Sequence, residues 1–140
     1  MSDIALTAVQ VAPVYPMTAD IVSVVLGEAV TQGTILYQTS TGTFSKADAN
    51  GSGLQQARGV ALAAGGAGQT ISMLRRGECY GFTVSGMNAD AIVYLSDTVG
   101  VLADAAGTMT VNCGRITVVP QSGSAVKVIF FNFDWLRAWS

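Results

Sequence analysis

Gly33-Thr34-Ile35-Leu36-Tyr37, a turn-rich loop, Ala47-Asp48-Ala49 and Arg58-Gly59-Val60 are answered later in the chain by Asp90-Ala91-Ile92-Val93-Tyr94, a turn, Ala103-Asp104-Ala105 and Gly114-Arg115-Ile116. The order is the same in both series. Tyr37 to Tyr94 is an offset of 57 residues, Asp48 to Asp104 of 56, and Val60 to Ile116 of 56. A near-constant offset across three separated blocks implies two copies of one β-rich unit, about residues 33–75 and 90–130. Turn chemistry and strand pattern repeat, not reactive side chains, so the repeat speaks to architecture.

Outward from the repeat, β-branched and apolar runs are punctuated by glycine and serine. Ile21 to Leu26, Thr34 to Gln38, Thr43 to Lys46, Gln69 to Arg75, Glu78 to Val84, Ile92 to Leu95, Met109 to Cys113, Arg115 to Val119 and Ala125 to Phe133 all have strand-like composition. Between them lie Ser40-Thr41-Gly42, the cluster Gly65 to Gly68, Gly77, Ser85-Gly86 and Gln121-Ser122-Gly123. Turns so closely spaced predict an all-β fold, an antiparallel jelly-roll-like sandwich or barrel with two tandem related halves. Leu54 to Ala64 also fits a helical face, but Gly59 and the strand-like counterpart Arg115 to Val119 favour strand.

Two ends stand apart. Residues 1–20 carry Ile4, Leu6, Val9, Val11, Val14, Tyr15 and Met17, while Pro13 and Pro16 remove backbone donors and rule out a central strand or continuous helix. They predict an extended N-terminal arm lying against a neighbouring subunit, outside a single β domain at 21–140. Five of the eleven aromatics, Phe130, Phe131, Phe133, Trp135 and Trp139, fall in the last eleven residues. With period two, Ile129, Phe131, Phe133 and Trp135 share one strand face. The tail is either a core-closing strand or an aromatic anchor between subunits, where Trp is enriched. Arg137 and Ser140 return it to water, which predicts an exposed Trp139 and anchors at Trp135, Leu136 and Trp139.

Composition excludes several functions. The chain has 140 residues, enough for one shared core, and 11% of them are charged against a usual share of about 25%. So few charges predict apolar surface covered by a partner. The net charge of -2 and seven scattered basic residues argue against a nucleic-acid groove or an anionic membrane. Met1-Ser2-Asp3 has no positive n-region, and no apolar run approaches a membrane span of about 18 residues, so assembly in the cytoplasm is expected. Cys79 and Cys113 share no metal spacing and read as buried small hydrophobes. Histidine is absent, which removes Ser-His-Asp, Cys-His and histidine-ligated zinc arrangements. Neither Lys46 nor Lys127 has a serine motif around it, and Asp48, Asp97 and Asp104 read as turn residues. No catalytic, cofactor or metal residue is therefore expected, and the chain is read as a non-enzyme. Arg75-Arg76, the one dense charge feature, is either a hydrated strand end beside a Gly77 turn or offers one arginine to an acidic patch on a partner.

Ala57-Arg58-Gly59-Val60-Ala61-Leu62, Leu74-Arg75-Arg76-Gly77 followed by Tyr80-Gly81-Phe82, Val93-Tyr94-Leu95-Ser96-Asp97 with Ala103-Asp104 downstream, Gly114-Arg115-Ile116 and Phe133-Asp134-Trp135-Leu136 follow one another in the chain. In that order they resemble the small capsid decoration, or cement, proteins of tailed bacteriophages, from about Gly27 to Leu136. The resemblance implies an all-β virion protein on the outside of an icosahedral capsid, with the major capsid protein and further copies of itself, as dimer or trimer, for partners. The expected interface residues are Val11, Val14, Tyr15, Met17, Arg75, Arg76, Trp135, Leu136 and Trp139. Two rivals remain: another phage tail or baseplate β module, and a small carbohydrate-binding or hydrolytic module whose site would be formed by Tyr37, Tyr94, Trp135 and the aspartates.

Overall fold

The computed structural model describes residues 2–121 and 123–140; Met1, at the head of the expected arm, and Ser122, within the expected Gln121–Gly123 turn, lie outside them. The described chain is all-β, with ten strands and a single 3-10 turn at Ala8–Gln10. The strands are β1 (Ala12–Pro13), β2 (Asp20–Val25), β3 (Ile35–Gln38), β4 (Phe44–Lys46), β5 (Ala57–Ala61), β6 (Thr70–Tyr80), β7 (Ile92–Leu95), β8 (Leu102–Ala103), β9 (Asn112–Gln121) and β10 (Ser124–Asn132). They form one antiparallel sheet in the order β4-β3-β5-β6-β10-β9-β7-β8, with β1 and β2 on the remaining edge of β6, and the sheet curls into a half-barrel.

The glycine cluster at 65–68 joins β5 to β6 as a hairpin connection, and Leu54 to Ala64 contains strand and no helix. Gly77 is not a turn. It has a φ of +141° and lies inside β6, which runs without interruption from Thr70 to Tyr80 because β2, β1, β5 and β10 all pair with it. In β6 the apolar pattern changes parity. Ile71 and Met73 face a smaller core with Val24, Leu26, Val30, Leu36, Phe44 and Ala61, whereas Leu74 and Cys79, five residues apart, both face the larger one. The cause is a β-bulge: Asp20 lies opposite Arg76 and Ile21 opposite Leu74, so Arg75 is the extra residue. One inserted residue moves every following side chain to the other face.

Two three-strand units have the same register. Ile35, Leu36 and Tyr37 lie opposite Val60, Gly59 and Ala57, with a bulge at Arg58; Ile92, Val93 and Tyr94 lie opposite Arg115, Gly114 and Asn112, with a bulge at Cys113. Each is flanked by its own hairpin partner, β4 or β8. By register Gly59 answers Gly114 and Arg58 answers Cys113, one residue away from the match of Arg58-Gly59 to Gly114-Arg115 by composition.

The N-terminal segment corrects the expected arm. Its backbone is extended, but Ile4 (5% exposed) and Val11 (1%) belong to the larger core of the same chain. Ile4 N donates to Leu102 O at 2.8 Å, Thr7 N to Gly81 O at 2.8 Å, and Val14 N to Glu78 O at 2.8 Å. Pro13 is tolerated because β1 is a two-residue edge strand. The segment hides Ile4 and Val11 by lying along β8 and β6, so this part of it belongs to the chain's own core, while Val9, Tyr15 and Met17 stay exposed.

Candidate interaction surface

Behind β10 the chain turns across the sheet. Phe133 N donates to Arg75 O at 3.1 Å, and the Asp134 carboxylate accepts from Leu136 N at 3.0 Å and Arg137 N at 3.2 Å, which closes a tight turn. Arg58 Nη1 holds Asp134 O at 2.6 Å, and Trp135 Nε1 donates to Arg58 O at 2.7 Å. The tail is then clamped by Gln56, whose Oε1 accepts from Trp139 N and whose Nε2 donates to Trp139 O, both at 2.8 Å. Gln55 Nε2 adds a bond to the same carbonyl at 3.0 Å. Trp139 is 6% exposed, within the larger core, and Arg137 stacks on its ring at 4.2 Å. The expected exposed Trp139 is therefore corrected: two glutamine side chains supply the backbone partners that hold Trp139 in the core.

Between the two anchored tryptophans Leu136 is left 99% exposed. A second apolar tip rises between β1 and β2, where Thr18 N and Ala19 N both donate to Tyr15 O at 3.1 Å and close a turn over Pro16 and Met17. Met17 is 95% exposed and Tyr15 43%. Arg75, on the β6 bulge, lies between Asp20, at the start of β2, and Trp135. Its guanidinium donates to Asp20 at 3.1 and 3.0 Å and lies 5.1 Å from the centre of the Trp135 ring. With the Arg75 and Asp20 side chains 32% and 47% exposed, this pair orients more than it stabilises, at about 0–1 kcal/mol. Beside the tail a shallow cleft of about 530 Å³ is lined by Asn112, Asn132, Asp134, Trp135 and Leu136 among others.

Of the nine residues expected at an interface, Arg75 and Trp135 are brought together with Leu136 beside them in the chain, while Tyr15 and Met17 stand on a separate exposed turn that precedes Asp20. Val14 is half-buried against β6, and Val11 and Trp139 are interior. Arg76 leaves the opposite side of β6, 5.8 Å from the Phe130 ring, and does not share the patch with Arg75. Gln55, Gln56 and Arg58 went unrecognised in the sequence because nothing local to them predicts the tail that they hold.

Aspartates elsewhere bond to nearby backbone and hydroxyl groups. Asp48 accepts from Asn50 N at 2.9 Å, Asp97 from Thr108 N and Oγ1 at 2.8 and 3.0 Å, and Asp104 from Ser2 N at 2.9 Å. Asp3 bonds the hydroxyls of Ser96 and Thr98, and these bonds hold its carboxyl below the usual aspartate range. Lys127 Nζ donates to the carbonyls of Ser85 and Met87 at 3.2 and 2.6 Å. Among the described residues no three His, Cys, Asp or Glu side chains gather as metal ligands, and no helix is long and apolar enough to cross a membrane.

No kinship decides the matter. No protein-family model matches the chain, and neither a curated protein nor a solved structure matches it significantly. The functional reading rests on the surface and on the motifs in the sequence.

Proposed function

We propose that this chain is a capsid decoration protein, which binds the outer surface of an icosahedral phage head and cements neighbouring major capsid protein subunits. The observation that carries this is the pair of exposed apolar tips, Met17 and Leu136, each on a hydrogen-bonded turn, on a domain with few charges. The turns already fix the backbone of each tip, so docking has to order only the exposed side chains while it removes apolar surface from water. The ordered strings from Ala57 to Leu136 supply the resemblance to cement proteins. Binding only the assembled shell adds RT ln(1 + [L]/Kd) of stability, about 2.7 kcal/mol at a hundredfold excess over Kd. Several sites on one particle multiply that gain through effective concentration.

The same proposal takes the domain as a jelly-roll-like or barrel-like fold of two tandem halves, supported by the bulge shared by the β3–β5 and β7–β9 pairs. It places the protein on the virion exterior after assembly in the host cytoplasm, as a homo-oligomer, without enzymatic activity. The carbohydrate-binding alternative is weakened at Trp135: Arg75 lies over its ring, Phe44 packs 6.2 Å from it, and its Nε1 is spent on Arg58 O. A tail or baseplate module is separated by assembly behaviour. Purified protein mixed with undecorated heads of its phage should co-sediment to saturation and raise the temperature of shell rupture. Rings or tubes formed without heads, with no binding to heads, would favour the tail module and overturn the proposal.

A further inference from the structure

Across the middle of the sheet runs a row of side chains that its own chain leaves open. Phe130 on β10 lies opposite Glu78 on β6 and Arg115 on β9, and Arg115 lies opposite Ile92 on β7. Directly opposed residues share a face. Val14, just past β1, stands at the far end of the row, because its N–H donates to Glu78 O at 2.8 Å. The adjoining row, Cys79, Ile129 and Ile116, lies in the larger core, so the row through Phe130 faces away from it. Arg115 is exposed, and Val14, Glu78, Phe130 and Ile92 are half-buried. From β1 to β7 the row runs apolar, acid, aromatic, base, apolar. Among the described residues Glu78 forms no ion pair, and neither does Arg76, two residues earlier on the same face of β6; Arg115 has only the outlying Asp90 carboxylate at 3.7 Å.

We propose that this outer face packs on the same face of a second copy, about a two-fold axis that runs parallel to β10 over Phe130. Such an axis keeps each residue at its level along the strands and exchanges the β1 side of the row for the β7 side, so two sheets stack with their strands aligned. Phe130 then meets the partner's Phe130, Glu78 meets the partner's Arg115, and Val14 meets the partner's Ile92. One row further, Asn132, which lies opposite Arg76, meets the partner's Asn132 on the axis. Arg76 comes over the partner's hollow of about 210 Å³ between Ile92, Asn112, Arg115, Phe130 and Asn132, where the Asn112 side chain offers a carbonyl oxygen. The charges select the occupant. A foreign surface would have to carry base, aromatic and acid in the reverse order at strand spacing, whereas a second copy does so by symmetry. The pairing makes the homo-oligomeric part of the proposed function a dimer, rests on that part alone and needs no capsid.

Analytical ultracentrifugation of the free protein over a wide concentration range tests it. The wild type should show a monomer–dimer equilibrium. Glu78→Arg and Arg115→Glu each set like charges against one another across the axis and should each weaken it at least ~10-fold. An equimolar mixture of the two variants should recover association, because every contact between unlike copies again joins opposite charges. Asn132→Cys, at an exposed position on the axis, should be joined into covalent dimers by a short bismaleimide, with circular dichroism unchanged. The wild type should not be, since Cys79 and Cys113 are buried. A wild type that stays monomeric throughout, a folded Glu78→Arg protein that associates like wild type, a mixture no tighter than either component, or an Asn132→Cys protein that does not cross-link would overturn the pairing. None of these outcomes touches head binding, which is read separately by co-sedimentation, so the two proposals fail independently.

Discussion

Gly59 and Gly114 hold matching places in the two three-strand units, yet a methyl group would meet very different surroundings at each. At Gly59 an added Cβ lies 2.6 Å from the Met73 side chain, which can swing aside; at Gly114 it would run into the backbone carbonyl of Phe130, which cannot move without breaking the β9–β10 ladder. Gly114→Ala should cost ~3 kcal/mol or more and Gly59→Ala clearly less, measured by urea unfolding. The tail offers a second contrast. Trp139→Ala should destabilise the fold by about 3–5 kcal/mol because the ring is interior, and Gln56→Ala by about 1–3 kcal/mol through lost bonds to the Trp139 backbone. Leu136→Glu and Met17→Glu should leave the unfolding free energy within ~0.5 kcal/mol of wild type and cut occupancy on heads at least ~10-fold. Normal occupancy of the double variant would remove the two tips from the working surface.

At the scale of elements, the N-terminal segment is held to the second half of the sheet at its tip by Asp3 and farther along by Ile4, Leu6 and Val11. Hydrogen bonds from Ser96 and Thr98 lower the Asp3 carboxyl, so its contribution is present above the ordinary aspartate value of ~3.9 and is lost as pH falls through the lower folded value. Protection of the amides around residues 2–6, taken relative to the intrinsic exchange rate at each pH, should therefore fall in acid before that of the rest of the sheet, and Asp3→Asn should remove that pH dependence. Deleting residues 2–11 uncovers the larger core and the β8 edge, so the truncated protein should unfold at lower urea and aggregate more readily than the full chain. A truncated domain as stable as wild type would show that the segment contributes nothing to the core.

Across the whole molecule the two thiols report on global opening. Burial pushes Cys79 up to about 12 and raises Cys113 as well, whereas an unfolded thiol titrates near ~8.5. The contribution of the two thiols is thus intact below about pH 8.5. Above it the unfolded state releases protons that the folded state keeps, and each thiol should lower the unfolding free energy by up to ~1.4 kcal/mol per pH unit until the folded protein also titrates. Replacing both cysteines with alanine should flatten the alkaline limb, and thiol labelling of the native protein should occur only at the rate of global unfolding. Fast labelling at neutral pH would contradict this burial.

Period-two patterns and turn residues act locally, and for that reason Ile92 to Leu95, Thr34 to Gln38 and the 65–68 connection were legible, together with the all-β class. They also placed apolar residues at both ends of the chain, but an apolar residue does not say which neighbour will cover it. The expected free arm and exposed Trp139 were both decided by distant partners: Leu102 and Gly81 for the first segment, Gln55 and Gln56 for the last. The bulge at Arg75 is of the same kind. Sequence alone determined that Arg75 and Arg76 would diverge. Only the pairing of β6 with β2 decided that Leu74 and Cys79 share a core and that Arg75 stands between Asp20 and Trp135, because register is set by two strands together and by neither alone.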